Sequence, residues 1–136
     1  MVLIYPGLGG DRGRGSMVTH AEAPMLTVAD MDFYAAARAG PGQNLRTDPT
    51  ATPLADSDFS GLPPALIVTA ECDPLSDDGR DYRDRIVAAG GNALWIEEPG
   101  LVHGYLRARH SVARARASFD RIVAGIDRLG RGAGLR

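Results

Sequence analysis

The chain has 136 residues and a formal net charge of −2, and 44% of its residues are hydrophobic. These values are typical of one soluble globular domain, and the near-neutral charge argues against nucleic acid as a partner. No apolar run reaches about 18 residues, so we expect no membrane span. The single cysteine, Cys72, excludes an intramolecular disulfide and favours a cytoplasmic location.

The N-terminal third of the sequence predicts one strand, one loop and one helix. Residues 2–5 form a short apolar run, which is typical of a buried strand. The Gly- and Arg-rich stretch 7–16 predicts a loop. Thr27 and Asp30 have the spacing of a capping box and predict the start of a helix that continues to about residue 39.

The rest of the chain predicts two more strands and two more helices. Residues 41–64 contain five prolines and predict an irregular connection, packed on the surface or functional. The apolar runs 65–70 and 92–97 predict strands, and a helix with Ser76 as its N-cap lies between them. The last helix is predicted over 111–129. Its inward stripe is predicted to consist of Val112, Ala115, Phe119, Ile122, Ile126 and Leu129.

This alternation of strands and helices predicts an α/β fold, a parallel sheet with flanking helices. We expect the domain to cover residues 1–129 and residues 130–136 to form a frayed tail. A sheet of only three strands is small, and an apolar edge strand without a neighbour promotes association. We therefore expect this chain either to form a homodimer or to lack an N-terminal half.

Two residues with catalytic chemistry follow consecutive predicted strands. Asp73 comes just after the strand over 65–70, and His103 comes after the strand over 92–97. Catalytic groups of parallel sheets collect at the carboxyl ends of the strands, so we expect the carboxylate and the imidazole to meet there. Hydrolase triads of this type follow the chain order Ser, Asp, His, which places a serine before Met1.

Two motifs give the chain a family resemblance. The segment Leu62–Asp77 contains Asp-Pro-Leu-x-Asp, and Pro99–Tyr105 contains Pro-Gly-x-x-His-Gly. With Leu3–Pro6 and the stretch from Leu26 to Tyr34, they resemble the C-terminal half of the hormone-sensitive-lipase-like carboxylesterases, a group of α/β-hydrolases. The resemblance extends to about residue 129.

The resemblance implies a function and a set of roles. Asp73 matches the triad acid and His103 the triad base of a serine carboxylesterase, while Asp77 matches a second acidic position with a structural role as an alternative. The implied substrate is a small-molecule ester, and no cofactor or metal is implied. The implied fold is a larger parallel sheet of which this chain supplies the last three strands. Residues 92–98 are a candidate dimer contact.

Two parts of that family pattern do not occur in this sequence. There is no Gly-x-Ser-x-Gly nucleophile elbow and no His-Gly-Gly oxyanion segment. The serine nearest to an elbow pattern, Ser16, lacks the closing glycine, so we expect it not to be catalytic. The chain is therefore predicted to be inactive by itself. The alternative, from a different class of function, is a non-catalytic interaction or dimerisation module derived from a hydrolase.

Several other residues have a structural and a functional interpretation. Cys72 is expected to pack at a strand end rather than react, and Asp77 and Asp78 to stabilise a helix start. His20 and His110 have no partners at metal-ligand spacing. Arginines near the last helix are expected to form its solvated face. Of the aromatic residues, Tyr5, Phe33, Tyr34 and Trp95 are expected in the core with pocket lining as the alternative, and Tyr105 is a candidate for contact with substrate.

Overall fold

The computed structural model describes residues 1–135. Within them, three strands form one parallel sheet in the order β1-β2-β3: β1 (Val2–Ile4), β2 (Ala65–Cys72) and β3 (Ala93–Val102). The helices are α1 (Ser16–Thr19), α2 (Val28–Ala39), α3 (Ser76–Ala88) and α4 (Ala113–Gly130). Short 3-10 turns lie at Leu45–Thr47, Pro53–Ala55 and Tyr105–Ala108. The predicted α/β class and parallel sheet are confirmed.

The central strand, β2, is buried on both faces. One face packs against α3, and the other packs against α4. The α3 side contains Ala65, Ile67, Tyr82 and Ile86, and the α4 side contains Leu66, Val68 and Ile122. This two-sided burial explains why β2 has a continuous apolar sequence rather than an alternating one.

Helix α2 begins as the sequence predicted. The Thr27 hydroxyl accepts the Asp30 N–H at 3.1 Å, and the Asp30 carboxylate accepts the Thr27 N–H at 2.9 Å. The Thr27 N–H and the Thr27 hydroxyl, which donates to the Asp30 carboxylate at 2.8 Å, lower the pKa of Asp30 below its ordinary value, because both bonds favour the charged carboxylate. The predicted core position of Phe33 and Tyr34 is wrong, since both lie on α2 with most of their surface exposed.

Helix α3 begins one residue earlier than predicted. Leu75 is the N-cap and Ser76 is already helical, so the prediction of Ser76 as the cap is wrong. The Asp73 carboxylate accepts the Leu75 N–H at 2.9 Å, and the Asp73 carbonyl accepts the Ser76 N–H at 3.1 Å. Asp73 therefore starts this helix, which leaves the Ser76 hydroxyl free to donate to Glu97 at 2.5 Å.

The inward face of α4 differs from the predicted stripe. Ala115, Ser118 and Ile122 are buried, whereas Val112, Phe119 and Ile126 are exposed. A Cβ atom on Gly125 would collide with the Leu66 side chain, so the helix lies very close to β2 here. Small residues permit this approach, while Phe119 and Ile126 face outward.

Candidate active site

The residues that follow β2 and β3 form a hydrogen-bonded pair. The His103 Nδ1 atom lies 2.8 Å from the Asp73 Oδ2 atom. Asp73 is fully buried, and its other oxygen accepts the Leu75 N–H. A buried carboxylate with both oxygens engaged cannot rotate freely, so it fixes the orientation of the imidazole.

An irregularity in the strand pairing places these two residues opposite each other. Ala70 pairs with Glu98, and the next pair is Cys72 with Val102. One residue of β2 therefore faces three residues of β3, which is a β-bulge with two additional residues. Asp73 and His103 each come directly after the last paired residue of their strand.

If the same sequence paired without the bulge, Leu101 would lie opposite Asp73. His103 would then lie two residues further along, a displacement of roughly 7 Å at about 3.3 Å per residue. A hydrogen bond between the imidazole and the carboxylate would be out of reach. The bulge also explains why β3 extends to Val102, five residues beyond its predicted end.

Tyr5, the residue directly after β1, also lies at this site. Its ring lies edge-on to the His103 imidazole, with ring centroids 4.7 Å apart. Tyr5 has a φ of +34°, which is uncommon for a residue with a side chain. Tyr5 was expected in the core with pocket lining as the alternative, and the strand was predicted to include it; the strand ends one residue earlier, at Ile4.

Tyr105 does not face the cleft, so the prediction that it contacts substrate is wrong. Its side chain is buried, and its hydroxyl lies 2.6 Å from the Ser118 hydroxyl on α4. Burial is the main cause that raises the pKa of Tyr105 to about 12. This tyrosine attaches the turn after His103 to α4 and so supports the segment that carries His103.

Ser16 and Asp77 hold two segments together. The Asp77 carboxylate accepts the Ser16 N–H at 3.1 Å, and the Ser16 hydroxyl accepts the Asp77 N–H at 3.0 Å. The same hydroxyl donates to the Pro74 carbonyl at 2.7 Å and is buried. Both residues therefore have structural contacts that account for them, and Asp77 also pairs with Arg80 at 2.8 Å.

A buried carboxylate on α3 holds the loop after β1. Asp78 accepts the N–H groups of Leu8 at 2.7 Å and Gly9 at 3.1 Å. Burial raises the pKa of the Asp78 carboxyl above its ordinary value, and the N–H groups of Leu8, Gly10 and Gly9 act in the opposite direction. There is no room for a Cβ atom on Gly10 beside this carboxylate.

A cleft of about 560 Å³ opens beside the imidazole, within the usual range for small-molecule sites. His103 and Tyr5 line one side, and Met31, Tyr34 and Ala35 of α2 line another. Part of its wall is therefore apolar, which suits the hydrocarbon portion of a substrate.

Two other kinds of site are absent from the part of the chain that the structure describes. Within residues 1–135, no group of three or more His, Cys, Asp or Glu side chains has the arrangement of a metal site. In the same part of the chain, no helix combines the length and apolar character that crossing a bilayer requires. Cys72 is partly buried at the end of β2 and paired with Val102.

Comparison with known proteins assigns the family. A family model described as the alpha/beta hydrolase fold matches residues 1–107. Carboxylesterase NlhH of Mycobacterium tuberculosis is 39% identical over 108 residues, 77% of this chain and 34% of that protein. Ethyl acetate hydrolase of Pseudomonas putida is 33% identical over 107 residues, 78% of this chain and 33% of that protein.

The structural neighbours agree. An esterase of Pyrobaculum calidifontis superimposes with a TM-score of 0.84 at 29% sequence identity, over 95% of this chain and 43% of that one. The chain spans about a third of the length of the two relatives named above. It belongs to the α/β-hydrolase fold family, in the hormone-sensitive-lipase-like carboxylesterase group.

Proposed function

We propose that Asp73 and His103 are the acid and the base of a serine-type carboxylic ester hydrolase that acts on small-molecule esters. The observation that carries the proposal is the 2.8 Å contact between the His103 Nδ1 atom and the buried Asp73 carboxylate. The activities named for the relatives, a carboxylesterase and an ethyl acetate hydrolase, support the same reaction class.

In this reaction the serine oxygen attacks the ester carbonyl. His103 takes the serine proton at Nε2 and then passes it to the leaving alcohol, while Asp73 holds the proton-bearing Nδ1 and stabilises the imidazolium. Water then attacks the acyl-enzyme, and the same base assists this step. The apolar side of the cleft, formed by Met31 and Ala35, accommodates a carbon chain of the ester.

The nucleophile and the oxyanion donors are proposed to come from outside these 136 residues, because the sequence contains neither motif. Preorganised oxyanion donors commonly supply the largest part of the rate acceleration. The Asp73–His103 pair alone would only polarise water weakly. We therefore expect the isolated chain to have no esterase activity above background and to remain unlabelled by a fluorophosphonate probe.

A chimera tests the proposal directly. The part of carboxylesterase NlhH that precedes its matched segment would be fused to Met1, and hydrolysis of short p-nitrophenyl esters would be measured. We expect an active chimera that loses hydrolysis and fluorophosphonate labelling with His103→Gln. His110→Gln, a change at an exposed histidine outside the site, is the matched control. A cooperatively folded chimera whose activity does not depend on His103 would contradict the proposal.

One observation favours a second candidate function, a self-association module. The outer face of α4 carries an apolar stripe, consisting of Val112, Phe119, Val123 and Ile126, all of them exposed. β3 is also an edge strand within the described residues, and its Leu94 is 39% exposed. In this alternative, a second copy of the chain covers α4 and residues 92–98.

A further inference from the structure

One peptide group lies at the centre of the bulge that aligns Asp73 with His103. This is the Pro99–Gly100 peptide, whose two hydrogen-bonding groups are the Pro99 carbonyl and the Gly100 N–H. The Gly100 N–H donates to the Glu71 carboxylate at 2.7 Å. The Arg114 guanidinium donates to the Pro99 carbonyl at 3.1 Å.

The charges on the two sides match the dipole of this peptide. The negative carboxylate contacts the N–H end, and the positive guanidinium contacts the C=O end. Both hydrogen bonds are assisted by charge, which makes them stronger than bonds between neutral groups. Glu71 lies on β2 and Arg114 lies in the first turn of α4, so the peptide plane is fixed from two separate elements.

The backbone at Gly100 cannot easily adopt this conformation with another residue. Its φ is +68°, in the region that favours glycine. A Cβ atom there would also lie 2.9 Å from the Arg114 guanidinium. The turn therefore combines a glycine that permits the conformation with two charged side chains that select it.

Both charged residues are exposed, and exposed ionic contacts contribute little to the free energy of unfolding. Their placement affects geometry more strongly, because they fix the turn that sets the register of Leu101, Val102 and His103. We propose that Glu71 and Arg114 are positioning residues that clamp the Pro99–Gly100 peptide and thereby hold His103 opposite Asp73. The catalytic meaning of this clamp rests on the proposed function, but the clamp itself does not.

The test uses the 136-residue chain with ¹⁵N-labelled histidine. NMR reports which ring nitrogen of His103 carries the proton and how fast the Nδ1 proton exchanges with water. His103→Gln identifies the signals. For Glu71→Ala and Arg114→Ala we expect exchange about tenfold faster than in the wild type, because the hydrogen bond to Asp73 opens more often. Glu71→Gln keeps an acceptor oxygen and should stay within about twofold.

Two matched controls separate positioning from general loosening. Asp58→Ala removes another exposed carboxylate that accepts a backbone N–H, from Ser60 at 2.8 Å. Arg128→Ala removes another exposed α4 arginine that donates to a backbone carbonyl, that of Gly134 at 2.9 Å. Both should leave the His103 signals unchanged. Because Glu71 and Arg114 act on one peptide, their double variant should show less than the sum of the single effects.

Unchanged exchange in folded Glu71→Ala and Arg114→Ala would overturn the inference, and so would equal changes in the controls. If Glu71→Ala does not fold, Arg114→Ala compared with Arg128→Ala still decides. The NlhH chimera separates this inference from the proposed function. An inactive chimera with altered His103 exchange rejects the function alone, whereas an active chimera in which neither exchange nor kcat responds to Glu71→Ala rejects the clamp alone.

Discussion

The Asp78 carboxylate, which is 2% exposed, accepts the Leu8 N–H at 2.7 Å, and this bond attaches the loop after β1 to helix α3. This loop follows Tyr5, whose ring contacts His103, so α3 supports the site at two points. One point is Asp73, just before the helix, and the other is Asp78, in the first turn of the helix.

We expect Asp78→Ala to lower the free energy of unfolding by about 2 to 4 kcal/mol. The substitution leaves the buried N–H groups of Leu8 and Gly9 without an acceptor, and each such group costs about 1 to 3 kcal/mol. Urea unfolding followed by circular dichroism measures the change. Asp84→Ala, at an exposed position on the same helix, should stay within about 0.5 kcal/mol. Equal losses in both variants would contradict this role.

The cost of Asp78→Ala should also depend on pH. Burial raises the pKa of Asp78 in the folded state, so the folded protein holds this proton more tightly than the unfolded chain does. Its contribution is therefore complete below the ordinary carboxyl pKa and declines as pH rises through the raised value. The difference in unfolding free energy between wild type and Asp78→Ala should shrink over that range, and a difference that grows would refute the prediction.

Tyr105→Phe should change both neutral and alkaline stability. Loss of the bond to Ser118 should cost about 1 kcal/mol at neutral pH. The pKa of about 12 in the folded state lies above the ordinary 10.0, so wild-type stability should fall as pH rises from 10 to about 12. A pKa difference of two units corresponds to about 2 to 3 kcal/mol of folding stability, which the wild type loses over this pH range and which Tyr105→Phe does not have.

Urea unfolding at several alkaline pH values measures this component. Tyr34→Phe, a change at an exposed tyrosine, is the control and should retain the full alkaline loss. A Tyr105→Phe variant whose stability declines as steeply as that of the wild type would show that other groups cause the alkaline loss.

Asp73→Asn should reverse the tautomer of His103. The asparagine oxygen can keep the bond to the Leu75 N–H, which turns its NH₂ group toward the imidazole. Nδ1 must then accept a hydrogen bond, so the proton moves to Nε2, where it blocks general-base action. NMR of ¹⁵N-labelled histidine should show this change. In the chimera kcat should fall by about 10⁴-fold. A retained Nδ1 proton would disprove the assignment.

The self-association alternative predicts that the isolated chain sediments as a dimer. Val123→Glu places a charge in the apolar stripe of α4 and should weaken association by about tenfold or more, because burying an unpaired charge is costly. Analytical ultracentrifugation measures the dissociation constant. Val18→Glu, a change at an exposed apolar residue of α1, is the control. A monomeric wild-type chain at high concentration would reject the alternative.

Local sequence patterns predicted the elements of this fold well. The apolar runs gave the three strands, and Thr27 with Asp30 gave the start of α2, since the capping bonds join residues three apart. The meeting of Asp73 and His103 followed from a topological rule. Tyr5 lies at the same edge of the sheet directly after β1, but the predicted strand had included it.

Features that depend on tertiary packing were not predicted. The stripe of α4 was chosen by apolar character and is right at Ala115 and Ile122, but Ser118 lies inside and Phe119 outside, in a helix that approaches β2 closely at Gly125. Tyr105 was placed by its sequence distance from His103, whereas its hydroxyl partner lies on α4. The bulge was also missed, because strand register depends on partners that the local sequence does not identify.

The turn at Pro99 and Gly100 carries a consequence for how the gene can change. Deleting the six nucleotides that encode these two residues would bring Leu101 and Val102 into regular pairing with Glu71 and Cys72. Every remaining side chain of β3 would keep its own face, since a strand repeats every two residues, and His103 would still follow opposite Asp73. A descendant could thus lose the irregular turn in a single event and keep the imidazole beside the carboxylate.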